Sequence, residues 1–255
     1  MVKYLLLGVI QGLTEFLPVS SSGHLVIFQS LLQVPQSIAF DVVVHLATAL
    51  AVVVYFRQDI IALFTTELRL LWLIAVGTFF TALIGLLGKD FFESLFSSVI
   101  AVGFFLLLTG VVILLAEWRG RGQRGLPDIN IWDAVLIGLA QGCAIAPGLS
   151  RSGTTISASL ARNLDRGLAA RFSFLLAVPA ILGAGVLQAK TIFKAGTVDL
   201  GAAPLLVGFI AAFISGWLAI KVFMNVIQRT SLRVFAYYCF LLGLLVIGLS
   251  LLHSG

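Results

Sequence analysis

The chain has 255 residues, 60% of them hydrophobic and 11% charged, with a formal net charge of +5. Soluble domains carry about 25% charged residues, so a water-soluble class is excluded and lipid is the expected solvent. The positive surplus does not mark a nucleic-acid binder, because Lys and Arg are scattered between apolar segments and form no stripe. In chain order, residues 2–32 come first: two apolar pieces, VKYLLLGVIQGL and LVIFQSLL, broken by the polar stretch TEFLPVSSSGHL at 14–25. Each piece falls short of the roughly 20 residues a helix needs to cross a hydrocarbon core about 30 Å thick. Full spans are predicted near 40–56, 69–88 and 96–117, then a second broken region at 132–163, then spans near 172–189, 203–225 and 233–252. A single Lys3 before the first apolar run, with no small-residue cleavage site after it, argues against a removable signal peptide. Cys143 and Cys239 lie in apolar segments without metal-ligand or Cys-x-x-Cys spacing and are expected to be small core residues.

The two broken regions are related. GVIQGLTEFLPVSSSGHL (8–25) over GLAQGCAIAPGLSRSGTT (138–155) aligns Gly8 with Gly138, Gln11 with Gln141, Gly12 with Gly142, Ser20 with Ser150, Ser22 with Ser152 and Gly23 with Gly153 at a constant offset of 130. If each region is a hairpin that enters and leaves on one side, each half adds three spans to it, and an odd number inverts the second half. The expected fold is therefore an all-α polytopic membrane protein, one membrane domain over 1–255. It would hold two inverted-topology repeats, about 1–118 and about 131–255, each a re-entrant helical hairpin plus three transmembrane helices. Irregular backbone at membrane depth survives where it is buried in protein or lines a wet cavity. Broken segments at matching places in two halves point to a binding site near the midplane.

The layout puts four Lys/Arg (Lys3, Lys89, Lys190, Lys194) on the side of the termini and, with Arg69 and Lys221 assigned there, eleven on the side of the loops 57–68, 118–131, 162–171 and 226–233, leaving Arg151 in the motif. The Lys/Arg-rich side is the cytoplasmic one by the positive-inside rule, so both termini are expected outside. Arg57, Arg162, Arg166 and Arg171 are expected at helix ends facing lipid headgroups.

Helices that begin inside the membrane present unpaired N–H groups and the positive end of the dipole, a setting for anions. Ser20, Ser22 and Gly23, with Ser150, Ser152 and Gly153, occupy such starts: hydroxyls cap amides and glycine admits a ligand to the backbone. Arg151, the one Lys or Arg placed inside the apolar mass, needs an anion, which is either a phosphate or Glu15. Gln11 and Glu15 are four apart on one helix face and could hold a hard cation or orient water. His24 could deprotonate the Ser21 hydroxyl. Asp41 and His45, also four apart, are read as structural.

QGLTEFLPVSSSGH (11–24) and PGLSRSGTT (147–155) resemble the two signature motifs of the bacitracin-resistance type undecaprenyl-diphosphate phosphatases, and the resemblance covers essentially the whole chain. It implies removal of one phosphate from a polyprenyl diphosphate at the outer face of the plasma membrane, recycling the carrier used for cell-wall polymers. It also implies magnesium or calcium dependence. Carried over, Gln11 and Glu15 fill the (Glu/Gln)-x-x-x-Glu element, Ser21 and His24 the PxSSxGH element, and Ser150, Arg151 and Thr155 the second motif. The expected catalytic set is Glu15, Ser21, His24 and Arg151, with Ser20, Ser22, Gly23, Ser150, Ser152, Gly153 and Thr155 around the diphosphate and Glu15 and Gln11 toward the metal. Expected partners are the lipid substrate, membrane lipids and a second copy of the chain, not nucleic acid. The rival class is a carrier or flippase for an anionic lipid, since broken helices in inverted repeats also build transporters.

Overall fold

Apolar runs, interrupted by Pro, Gly and Ser where the chain must turn, form helices along nearly the whole molecule. The computed structural model describes residues 1–96, 98–119, 122–195 and 200–253, with the side chains of 189–195 and of 253 outside that description. Twelve α-helices are seen among the described residues: α1 (Val2–Phe16), α2 (Ser21–Leu31), α3 (Ile38–Tyr55), α4 (Arg57–Thr65), α5 (Leu68–Leu87), α6 (Lys89–Leu95), α7 (Val99–Arg119), α8 (Ile131–Cys143), α9 (Arg151–Ala161), α10 (Arg166–Ala195), α11 (Ala202–Val226) and α12 (Arg233–His253). No strand occurs among them. Six, namely α3, α5, α7, α10, α11 and α12, are long and apolar enough to cross a membrane. They coincide with the six predicted spans.

Helices α1, α2, α8 and α9 have 15, 11, 13 and 11 residues. At 1.5 Å per residue none reaches across about 30 Å of hydrocarbon. Each pair turns back: Tyr4 at the start of α1 shares an apolar cluster with Phe28 and Leu32 at the end of α2, and Arg162 after α9 is ion-paired at 2.6 Å with Asp133 at the start of α8. Three segments read as loops differ. Residues 57–65 and 89–95 form the short helices α4 and α6, and α10 runs on to Ala195, where Lys190 and Lys194 have side chains outside the described set.

Small residues set the main helix contacts, as they do where lipid supplies no hydrophobic drive between helices. A Cβ at Gly8 would lie 2.5 Å from the carbonyl oxygen of Gly208, and one at Gly12 would lie 2.0 Å from Ser215 Oγ, so α1 runs alongside α11 in the same direction. In the second hairpin, a Cβ at Gly138 would meet Gly77 O at 2.4 Å and one at Gly142 would meet Ile84 Cβ at 2.6 Å, so α8 runs alongside α5. Gly8 and Gly138, like Gly12 and Gly142, are the residues aligned by the offset.

At one end of the bundle the arginines are tied into the protein. Buried Asp133 accepts from Arg124 at 2.6 Å and Arg162 at 2.6 Å. Arg166 pairs with Glu117 at 2.5 Å, and Arg171 with Asp59 at 2.5 Å and Glu67 at 2.7 Å. Arg166 also donates to the carbonyls of Ile227 and Thr230, while Arg124 and Leu164 form a parallel bridge. The loops 57–68, 118–131, 162–171 and 226–233 thus share one end, as the charge count required. Arg162, Arg166 and Arg171 lie at or near helix ends, as expected, and each is also ion-paired with an acidic residue of a neighbouring segment. Helix α11 finishes at this end and α12 starts there, so the starts of α11 and α1, and the finish of α12, lie at the opposite end. Helices α5 and α8 begin at the arginine end.

The cysteines divide: Cys239 is buried, while Cys143 is exposed at the end of α8 and is not the core residue expected.

Gly12→Val is expected to destabilise the protein strongly, since overpacking costs about 1–3 kcal/mol or more and the nearest atoms are a hydroxyl and backbone. Gly183→Ala, inside α10 where a Cβ meets nothing within 4 Å, should leave the melting temperature in detergent unchanged or raise it, since alanine is the better helix former. Equal melting temperatures for the two variants would refute the close α1–α11 seam.

Candidate active site

The two hairpin tips touch. Ser152 Oγ donates to the carbonyl of Leu17 at 2.9 Å, a Cβ at Gly153 would be 3.3 Å from Pro18 Cβ, and one at Gly23 would be 3.3 Å from Gly148 Cα. Beneath them lies an aromatic floor, with Phe16 edge-on to Phe174 at 5.3 Å and Phe174 beside Phe223 at 5.8 Å. The second tip is hung from α7: Thr109 Oγ1 donates to Gly148 O at 3.1 Å and accepts from Ser150 N at 2.9 Å. Gly148 takes a φ of 93°, a conformation glycine adopts freely.

Both tips lead into a helix capped in the same way. Ser20 Oγ accepts from Gly23 N at 3.3 Å and approaches Ser22 Oγ at 3.3 Å. Ser150 Oγ accepts from Gly153 N at 3.1 Å and approaches Ser152 Oγ at 3.3 Å. The caps differ in backbone: Ser150 has φ −67°, whereas Ser20 has φ 68°.

Glu15, buried at the end of α1, is the hub. One carboxylate oxygen accepts from Arg151, the first residue of α9. The other accepts from the Ser21 hydroxyl, the first residue of α2, and from Gln11 Nε2 at 2.9 Å. His45 Nε2 stands 3.8 Å from that second oxygen, while His45 Nδ1 donates to the backbone carbonyl of Asp41 at 2.7 Å. His45 is the eighth of the 18 residues of α3, which puts the constellation near mid-depth of a span. By the offset of 130, Arg151 corresponds to Ser21, Ile145 to Glu15 and Thr154 to His24.

Several expected roles change. His24 is not on Ser21: its Nδ1 donates to Ser20 O at 2.7 Å and its Nε2 meets Tyr238 Oη at 2.7 Å, while the carboxylate in contact with the Ser21 hydroxyl is that of Glu15. Thr155 turns inward, donating to Arg151 O at 2.8 Å and touching Ser173 Oγ at 2.5 Å. Ser20, Ser150 and Ser152 are buried and engaged in caps or in the tip-to-tip bond, which leaves Ser21 and Ser22 as the half-buried motif serines. His45 joins the site although its spacing from Asp41 suggested a local pair; an imidazole in the interior of a span was the available signal. The Asp41 carboxylate is bonded instead by Gln29 Nε2 at 2.9 Å.

Gln11 Oε1 is buried without a hydrogen-bond partner. That orphaned carbonyl oxygen beside a carboxylate is a donor set suited to a hard cation that shares its other ligands with substrate phosphates. No cluster of three acidic, histidine or cysteine side chains able to hold a metal occurs among the described residues.

A family model described as bacitracin resistance protein BacA matches residues 4–245. The chain belongs to the BacA family. Relatives agree over almost their full length: the undecaprenyl-diphosphatase of Halothermothrix orenii is 46% identical, covering 97% of each chain, and that of Methanobrevibacter smithii is 43% identical, covering 99% of this chain and 98% of its own. A further undecaprenyl-diphosphatase, from Carboxydothermus hydrogenoformans, is 45% identical over 96% of this chain and 95% of its own. In this BacA-family chain the two resembling motifs are the two hairpin tips, and Glu15 and Arg151, one from each, are in contact.

Arg151→Ala and Glu15→Ala should each lower turnover by about two orders of magnitude or more, the scale on which loss of a charge-stabilising donor acts. Asp41→Ala should cost much less. Steady-state phosphate release from folded variants checks this; near-normal turnover of Arg151→Ala would rule out the anion role.

Proposed function

We propose that the chain is an integral membrane phosphatase that hydrolyses undecaprenyl diphosphate, or a similar polyprenyl diphosphate, to the monophosphate and inorganic phosphate. The observation that carries the reading is the Glu15–Arg151 pair between the two tips, with the Ser21 hydroxyl on the same carboxylate. The name of the relatives, undecaprenyl-diphosphatase, supports the substrate.

Unliganded, Arg151 is neutralised by Glu15. The terminal phosphate of the substrate takes the guanidinium, whose planar fork matches two phosphate oxygens, and lies against the amides at the starts of α2 and α9. Glu15 keeps the Ser21 proton in reach. Ser21 Oγ attacks the terminal phosphorus as its proton moves to Glu15, the bond to the bridging oxygen breaks, and the proton passes to the departing polyprenyl monophosphate. Glu15, ionised again, activates the water that cleaves the phosphoserine and returns the proton to Ser21. Phosphoryl transfer depends mainly on positioning and charge neutralisation, which fits a site of one guanidinium, two helix starts and one base. A divalent cation, Mg2+ or Ca2+, would be held by Glu15 and Gln11 Oε1 and would supply neutralisation of the phosphate oxygens.

The two halves, about 1–118 and 131–255, are read as inverted repeats, supported by hairpins that start from opposite ends of the bundle. The arginine-rich end is read as cytoplasmic, with both termini outside and the site opening to the outer face of the plasma membrane. Repeats of this kind also suit a carrier, and hydrolysis separates the two.

Purified protein in detergent, where no second compartment exists, should release inorganic phosphate from a polyprenyl diphosphate and lose that activity with chelator; a pure carrier releases none. In single-turnover quench with labelled substrate, phosphate should be found on Ser21, and Ser21→Ala should lower turnover by orders of magnitude. No adduct would favour direct attack on the terminal phosphorus by a water held by Glu15.

A further inference from the structure

His24 is the motif residue that the mechanism above leaves without a chemical step, and its surroundings say what it does. Ser20 O is a pure acceptor, so the Nδ1 atom 2.7 Å away must carry a proton. In the neutral ring Nε2 is then an acceptor, and the Tyr238 hydroxyl at 2.7 Å donates to it. The two rings also lie parallel, 7° apart with centroids 5.7 Å apart. Tyr238 comes from α12, 214 residues away in sequence, and the next residue, Cys239, touches Pro18 O at 3.5 Å. Two successive residues of α12 therefore grip the first hairpin tip.

The grip meets the tip where its backbone is strained. Ser20 adopts φ 68° and ψ 94°, and a non-glycine residue in a sparsely populated region costs about 1–3 kcal/mol and persists when its surroundings over-determine it. Ser20 O is held twice by His24, through the backbone amide at 3.1 Å and through Nδ1. The next residue is Ser21, whose hydroxyl is on Glu15. At the second tip no such device is needed: Thr154 Oγ1 donates to Ser150 O at 2.7 Å, and Ser150 has an ordinary φ of −67°.

We propose that Tyr238 is a positioning residue for the phosphatase reaction: by fixing His24 against the Ser20 carbonyl it holds the strained cap of α2 and so keeps Ser21 and the α2 amides aimed at the phosphate. The proposal rests on the hydrolytic reading above. Tyr238 touches no reacting atom, and its hydroxyl acts through His24. Removing that hydroxyl loosens the cap without altering Arg151, so kcat should fall while KM changes little.

The test uses full-length protein in detergent, with Tyr238→Phe, His24→Ala and the double variant. Tyr238→Phe keeps the stacked ring and should lower kcat about tenfold at a nearly unchanged KM, while Tyr237→Phe, on an exposed neighbour, leaves kcat as it was. In the His24→Ala background Tyr238→Phe should have no further effect, the non-additivity expected of residues acting as one unit. Full activity of Tyr238→Phe, or losses that simply add, would overturn the proposal. A second measurement needs no variant: 15N spectra of histidine-labelled wild-type protein should show His24 as the Nδ1–H tautomer, and the Nε2–H tautomer would refute the hydrogen-bond order. If wild-type protein releases no phosphate, the hydrolytic reading fails, whereas the tautomer result stands apart from it.

Discussion

One carboxylate and one guanidinium, 136 residues apart in sequence, meet where the two half-crossing hairpins touch. A lone charge of either sign at this depth would cost at least about 2.5 kcal/mol on insertion scales, so each makes the other tolerable. Breaking a buried pair is far more costly than never having built it. The contact therefore fixes the register of one hairpin against the other and keeps a guanidinium between the two tips.

A second constraint works with it. Hydrocarbon offers the backbone no hydrogen bonds, and here the broken stretches satisfy themselves. Thr109 reaches from α7 to both Gly148 and Ser150, the two capping serines close on Gly23 and Gly153, and Ser152 joins the tips through Leu17. The serine and threonine hydroxyls that make the motifs conspicuous are largely consumed in this scaffolding. What is left partly open, Ser21 and Ser22 with Arg151 and His45, is a smaller group than the motif, and it is the group available to a ligand.

The six spans were legible because their apolar runs have few other ways to exist, and the hairpins because segments of 11 to 15 residues cannot cross. The pairing of Gly8, Gly12, Gly138 and Gly142 could be traced from the offset, though not the partner each would meet. Glu15, Ser21 and Arg151, which the structure brings into contact, were singled out by chemistry: a charge or a hydroxyl beside a break in an apolar run. The partner of Ser21 was not legible, since Glu15 and His24 lie six and three residues from it and the turn at Ser20 decides which reaches. Tyr238 was invisible, because a tyrosine in a span carries no sign of a contact 214 residues away. The ion pairs of the loop arginines were illegible for the same reason: Asp59, Glu67, Glu117 and Asp133 meet them across sequence distances that composition does not encode.

The division of charge between the tips has a consequence for how such a chain can be built. At the position of Glu15 the second hairpin has Ile145, and at the position of Arg151 the first has Ser21. Two copies of the first hairpin would supply two carboxylates and no guanidinium, and two copies of the second would supply two guanidiniums and no carboxylate. Both hairpins are thus needed to assemble the couple, and neither of them doubled could present it.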